Sequence, residues 1–170
     1  LLIYQYPIDY DSTHQTLYSI YTNTTEKAYS LERYSWTIPI CYDPSFGVDL
    51  EVVSRHNLLS IQDVIDLHSQ TTYIVYSIGF LPGFLYLGGL DQRLHIHRKE
   101  KPRLKVPKGA VGIGGVQTGI YPMESPGGWQ IIGNSPIRFF DSSISNPCFA
   151  KAGDHIQFEA ITLDKYHFIA

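Results

Sequence analysis

After Gln70 the chain offers no helical period. Short apolar runs at 73–78, 110–114, 129–132, 137–140 and 156–160 are separated by glycine and proline instead. Runs of this length, rich in β-branched and aromatic residues and bounded by turn formers, read as strands, and several in succession read as a β-barrel or sandwich. One stretch imitates a membrane span, since residues 69–90 carry no charge over about the ~20 residues a bilayer helix needs. Gly79, Pro82, Gly83, Gly88 and Gly89 interrupt it, and Thr71, Tyr73, Val75 and Tyr76 favour extended chain. A buried strand followed by a loop is the expectation there, with no membrane partner.

The part before this boundary has a mixed character. A strand is expected at 1–6, and Ser12-Thr13-His14-Gln15 has the capping-box pattern of a helix start. That helix is expected to run to about Asn23 with Leu17, Ile20 and Tyr21 as its buried stripe. Residues 34–40 alternate with period two, predicting a half-buried strand that Pro39 assigns to an edge. A helix is expected at 49–56, and Ser60-Ile61-Gln62-Asp63 opens another that reaches about Ser69. The composition shift near residue 71 therefore divides an α+β N-terminal domain, 1–71, from a mostly-β barrel domain, 72–170.

Composition removes several classes of function. At 44% hydrophobic and 17% charged the chain is no disordered segment. Thirteen Lys and Arg against 16 Asp and Glu give a net charge of -3, which leaves no basic excess for nucleic acid. Two cysteines, Cys41 and Cys148, are too few for a disulfide framework, so a reducing, cytoplasmic location is expected. The N-terminus meets Pro7 and Asp9 before any apolar stretch reaches signal-peptide length, and the missing initial Met points to a trimmed or truncated chain.

The usual motifs fail in detail. Val111 to Gly119 lacks the third glycine of a dinucleotide fingerprint, because Gln117 occupies it, and Pro122 rules out the ensuing helix. The same stretch has Ile120-Tyr121 where a phosphate-cradling loop needs Lys and Ser or Thr. His95-Ile96-His97 puts two imidazoles on one strand face without a third ligand at metal spacing, and Arg98, Lys99, Lys101 and Arg103 make it read as a basic segment; no metal is expected. No Gly-x-Ser-x-Gly elbow supports a nucleophilic hydrolase.

His68 lies on the apolar stripe of its helix with Ile61, Val64 and Ile65, so it is either a hydrogen-bonded core residue or an imidazole aimed into an interdomain cleft. The densest signal is a pair of segments, Gly79 to Asp91 and Gln117 to Trp129, in which glycines alternate with aromatics. Such glycines admit either a ligand or a packed ring, and both readings stay open. The candidate lining is Phe80, Gly83, Phe84, Tyr86, Arg103, Gln117, Tyr121, Ser125, Gly127, Gly128 and Trp129.

These residues also carry a resemblance. Arg55-His56-Asn57, Leu67-His68-Ser69, Gly79 to Asp91, Pro102-Arg103, Val106-Pro107, and Gln117 to Trp129 with Ile132-Gly133 resemble the 5-oxoprolinase B-subunit family, also called KipI or allophanate hydrolase subunit 1. The likeness runs from about 1 to 160. It departs at Leu81, Leu85, Ala110 and Asn134-Ser135, and at the start, where family members have a further strand and Gly-Asp turn. The resemblance implies a cyclophilin-like barrel behind an α+β domain. It also implies one component of a heteromeric complex, acting with a homologous C subunit and with an A subunit in ATP-dependent cleavage of 5-oxoproline to glutamate. The chain would supply one wall of a shared site: His68 helping proton transfer, Gln117 and Tyr121 bonding the amide, and the Gly127-Gly128 backbone near an oxyanion. Two other branches are implied: inhibition of a sporulation histidine kinase, and carboxyl transfer from biotin to urea. The lone Met123 beside Glu124 offers no Met-Lys-Met-like biotin attachment site, so biotin would come from another protein.

Overall fold

The structure is a computed structural model that describes residues 9–24 and 32–170. It divides into two compact units, Leu1–Glu32 and Arg33–Ala170. The strand expected at 1–6 lies outside the described residues.

In the first unit, α1 (Tyr10–Asn23) begins earlier than the Ser12 box predicts. The Asp9 carboxylate accepts from the Asp11 and Ser12 backbone N–H groups at 3.1 and 3.3 Å. An acidic N-cap satisfies free donors and complements the helix dipole, so it displaces the weaker serine signal. The expected stripe is not buried: Leu17, Ile20 and Tyr21 are all exposed. Tyr10, His14 and Tyr18, four residues apart, stack instead along one face at 6.2 and 6.4 Å.

The second unit is a closed seven-stranded barrel. Its staves are β1 (Ser35–Cys41), β2 (Thr72–Ile78), β3 (Leu85–Gly88), β5 (Ala110–Gly114), β6 (Gln117–Ile120), β8 (Gln130–Asn134) and β9 (His155–Ile161), in the order β1-β8-β5-β6-β3-β2-β9. Two further strands, β4 (Arg103–Val106) and β7 (Ser125–Gly127), pair with each other as a separate arm. Helices α2 (Leu50–Asn57) and α3 (Ile61–Gln70) pack on β8 and β9. Because β1 is a stave and both helices belong to the barrel unit, the compact unit begins at Arg33 and the composition shift near residue 71 falls inside it.

The register explains Pro39. β1 pairs in parallel with β9 along its whole length, from Ser35↔His155 to Cys41↔Ile161. It meets β8 only at Cys41↔Asn134. On that flank β1 is nearly an edge, which accommodates a residue with no N–H to give. Residues 69–90 form the end of α3, then β2, a turn and β3, and no helix among the described residues is long and apolar enough to cross a membrane.

Two local expectations differ. Residues 137–140 are irregular, although Phe139 is fully buried and Ile137 packs against the core. After β9 a helix, α4 (Leu163–Ile169), appears; Thr162 caps it through the Lys165 N–H. Seven residues are too few to show a period. The main core joins Ile38 and Ile40 of β1, Val53 and Val64 of the helices, and Tyr73, Leu85, Val111 and Phe158 of the staves. Each such side chain contributes about 1.5–3 kcal/mol on burial. A smaller cluster of Phe84, Val106, Ala110, Tyr121, Trp129 and Ile131 stands apart from it.

Candidate functional site

The smaller cluster exists because three glycines leave room for rings. A Cβ at Gly114 would stand 2.6 Å from the Trp129 indole, and one at Gly119 would stand 2.6 Å from the Leu85 carbonyl oxygen and 2.8 Å from the same indole. Trp129 thus lies on bare backbone of β5 and β6. Gly127 likewise makes room for the Tyr121 ring. Phe84 stands edge-on to Trp129 at 5.5 Å and to Tyr121 at 5.0 Å, the geometry that sets a positive ring edge on a negative face. Of the two open readings, the one in which glycines seat packed rings holds at these positions.

The packed rings in turn form the floor of a cleft of about 290 Å³. Phe80, Phe84, Tyr86, Tyr121, Gly127, Gly128 and Trp129, all expected from sequence, line it. So do Arg98, Pro102 and Pro126, which were not. The Arg98 guanidinium lies 5.4 Å from the Trp129 ring centroid, a cation–π approach, and has no carboxylate partner among the described residues. Burial pushes the Tyr121 phenol up, against the Trp129 backbone N–H and the Arg98 and Arg103 charges, so it stays a neutral donor near pH 7. At the rim, Phe80 is 63% exposed and has a φ of 66°, rare for a residue with a Cβ. Leu81 N donates to Gly79 O at 2.8 Å across it, a γ-turn of the strained hand.

The remaining expected residues lie elsewhere. His68 is fully buried in the main core, with Nδ1 2.7 Å from the Tyr42 hydroxyl and Nε2 2.9 Å from Thr118 Oγ1. Its ring stacks on Phe158 at 4.7 Å, and burial pulls its pKa down to about 3. The core alternative for His68 is the one this geometry fits, since a sealed neutral imidazole cannot exchange protons with a ligand in the cleft. Gly83 is a turn residue with a φ of 84° whose Cβ would meet Phe140 at 2.7 Å. Gln117 pairs with Gly114 at the end of the β5–β6 hairpin. The Ser125 hydroxyl donates within its own strand, to Pro126 O at 3.2 Å.

Arg103 is held by Asp49. Its two terminal nitrogens each donate to that carboxylate at 2.7 Å, joined by Lys99 Nζ at 3.0 Å and the Ile131 backbone N–H at 2.7 Å. Burial pushes the Asp49 carboxyl up, but these donors more than offset it and hold it below the usual carboxylate range. Although Asp49 is the N-cap of α2, it makes no capping bond, because its side chain fastens the arm to β8. Nothing local in the sequence marks Asp49 for this, and Arg98 was visible only as one charge in a basic run. Among the described residues no group of three metal-binding side chains occurs, and His95 Nε2 lies 3.3 Å from Leu90 O.

A closed seven-stranded barrel that carries an aromatic cleft defines a barrel domain of the cyclophilin-like class. Comparison with known proteins narrows this. Residues 1–150 match the family model described as carboxyltransferase domain, subdomain C and D, and the chain belongs to that family, the one that includes the B subunit of 5-oxoprolinase, KipI and allophanate hydrolase subunit 1. It is 45% identical over 139 residues to the 5-oxoprolinase B subunit of Bacillus subtilis (strain 168), covering 82% of this chain and 58% of that protein. It is 48% identical over 121 residues to the 5-oxoprolinase B subunit of Escherichia coli O157:H7, covering 71% of this chain and 56% of that one. This chain therefore spans little more than half the length of these relatives. Its fold matches the crystal structure of a conserved uncharacterized protein from Pyrococcus horikoshii with a TM-score of 0.75 and 50% identity, over 78% of this chain and 61% of that one. The K. lactis urea amidolyase, at 20% identity and a TM-score of 0.76 over 95% of this chain and 12% of that one, shares the fold.

Proposed function

We propose that the chain is the B-subunit portion of an ATP-dependent 5-oxoprolinase complex, and that its cleft is one wall of a site completed by a homologous C subunit, working with an A subunit. The observation that carries this is the cleft's chemistry: flat apolar walls and one cation with no carboxylate partner among the described residues. A lactam ring suits the apolar wall of Tyr86 and the Trp129 ring edge, Arg98 suits its carboxylate, and the neutral Tyr121 phenol suits its carbonyl oxygen. The similarity to two 5-oxoprolinase B subunits supports the same reading. In it His68 and Gln117 leave the reacting set, while Tyr121, Gly127 and Gly128 stay. ATP is consumed by the complex and is not assigned to this cleft. An ATP-consuming complex belongs in the cytoplasm, where Cys41 and Cys148 remain free thiols.

The test is a coupled ATPase assay with 5-oxoproline. We expect no turnover by the chain alone and turnover once both partners are added, with Arg98→Gln raising the KM for 5-oxoproline more than it lowers kcat. Turnover by the isolated chain would refute the shared site. A second reading, a binding module for a histidine kinase, is favoured by Phe80, an exposed ring held out by a strained turn, as interface anchors are. Tight kinase binding with loss of autophosphorylation, joined to an inactive complete mixture, would decide for it.

A further inference from the structure

We propose that a groove adjoining the aromatic cleft binds a polyphosphate anion. It encloses about 510 Å³, and its lining includes His56, His97, Arg98, Lys99, Lys101 and Gln130. Arg98 lines this groove and the aromatic cleft alike, so the two share a side chain.

The charges do not balance locally. The chain as a whole is at -3, yet Arg98 and Lys101 have no carboxylate partner among the described residues. Lys99 must share Asp49 with Arg103. In this neighbourhood four cations face two carboxylates, Asp49 and Glu100, with the His56 and His97 rings as further donors. A singly charged ligand would leave part of that excess unmatched, whereas a chain of phosphates spans several donors, and guanidinium and ammonium groups both bind phosphate oxygens strongly.

The backbone that carries these cations is also held in place. Ile96 and Gly115 exchange backbone bonds at 3.2 and 2.8 Å, and Gln130 Nε2 donates to His97 O at 3.1 Å. Lys99 N donates to Gly128 O at 2.7 Å. Gln130 itself is only 7% exposed, and its Oε1 lies 3.4 Å from Lys99 Nζ. A backbone fixed at Ile96, His97 and Lys99, with Lys99 Nζ on Asp49, leaves less of the segment to be ordered on binding, which lowers its entropic cost.

The site does not depend on the cleft ligand being a lactam, and it is measured on this chain alone by binding. Metal-free tripolyphosphate is titrated into ¹⁵N-labelled protein while amide shifts are followed. We expect saturable shifts centred on residues 96–101, and affinity about tenfold weaker in the double variant Arg98→Gln/Lys101→Gln. Both positions are exposed, so beyond the segment itself and the Trp129 ring that Arg98 overlies that variant's spectrum should be unchanged. Lys108→Gln/Lys151→Gln, which removes two cations outside the groove, should bind as the parent does. ATP in place of tripolyphosphate separates the sources: equal affinity means that the phosphate chain alone is read, and tighter binding means that the nucleoside adds contacts. Absence of saturable shifts in 96–101, or equal binding by the Arg98/Lys101 variant, would overturn the proposal.

Discussion

The Thr118 hydroxyl has one proton, and it donates that proton to Gly112 O at 3.0 Å. It must therefore accept from His68 Nε2, which leaves Nδ1 to accept from Tyr42, so His68 is the neutral Nε2–H tautomer with both nitrogens satisfied. With its folded pKa pulled from 6.5 down to about 3, the unfolded chain binds the extra proton in between. The stability this confers is complete above about pH 6.5 and declines as pH falls towards 3, at up to about 1.4 kcal/mol per pH unit. Urea unfolding at pH 7.5, 6 and 5 should show this slope in the parent and lose it in His68→Gln, which should also be less stable throughout; an unchanged slope would assign the proton uptake elsewhere. For Trp129, which is 4% exposed on its glycine seat, substitution by Ala should cost about 3–5 kcal/mol. A shift below about 1 kcal/mol would mean that the ring packs on nothing. The aromatic half of the cleft was legible because glycine-aromatic alternation is a local pattern. Arg98 and Asp49 were not, since their roles depend on partners dozens of residues away.

Among elements, the β4–β7 arm is tied to β8 by one carboxylate, Asp49, beside the apolar packing of Val106. Asp49→Asn should cost about 3 kcal/mol, the low end for a broken buried pair because Lys99 and Arg103 are partly exposed. Hydrogen exchange should accelerate in 103–106 and 125–127 while β5, β6 and β8 keep their protection; uniform acceleration would show that the arm is not separately tethered. In the parent the same loosening should begin only below about pH 4, because the folded Asp49 pKa is depressed and its stabilisation is lost as pH falls through that value. Element ends were readable where capping chemistry is local. At α3, Ser60 and Asp63 form the reciprocal box that their spacing announces. The start of α1 was misplaced because two capping signals lie three residues apart and the acidic one wins. At 137–140, burial was legible and strand pairing was not, since an apolar run reports what is inside and not what it bonds to.

For the molecule as a whole, every barrel stave, the arm and both apolar clusters fall within Arg33–Ala170. A chain of residues 33–170 should therefore unfold in one cooperative transition by circular dichroism, and a broad, non-cooperative melt would show that the barrel unit is incomplete without what precedes it. The barrel was legible from its strand spacing. Local composition places its first stave in a separate domain, because the pairing of β1 with β9 crosses most of the chain and leaves no mark there. That pairing also sets the order of assembly. β9 lies between β1 and β2, and its partner residues in β1 are some 120 positions earlier, a loop whose closure costs ~4 kcal/mol in entropy before any bond rewards it. On the ribosome the last stave emerges last, so the nascent protein must wait as an open sheet with two bare edges. Its period of greatest exposure to misassembly and to chaperones lies before His155–Ile161 have emerged, and a chain stalled or terminated ahead of them would never leave it.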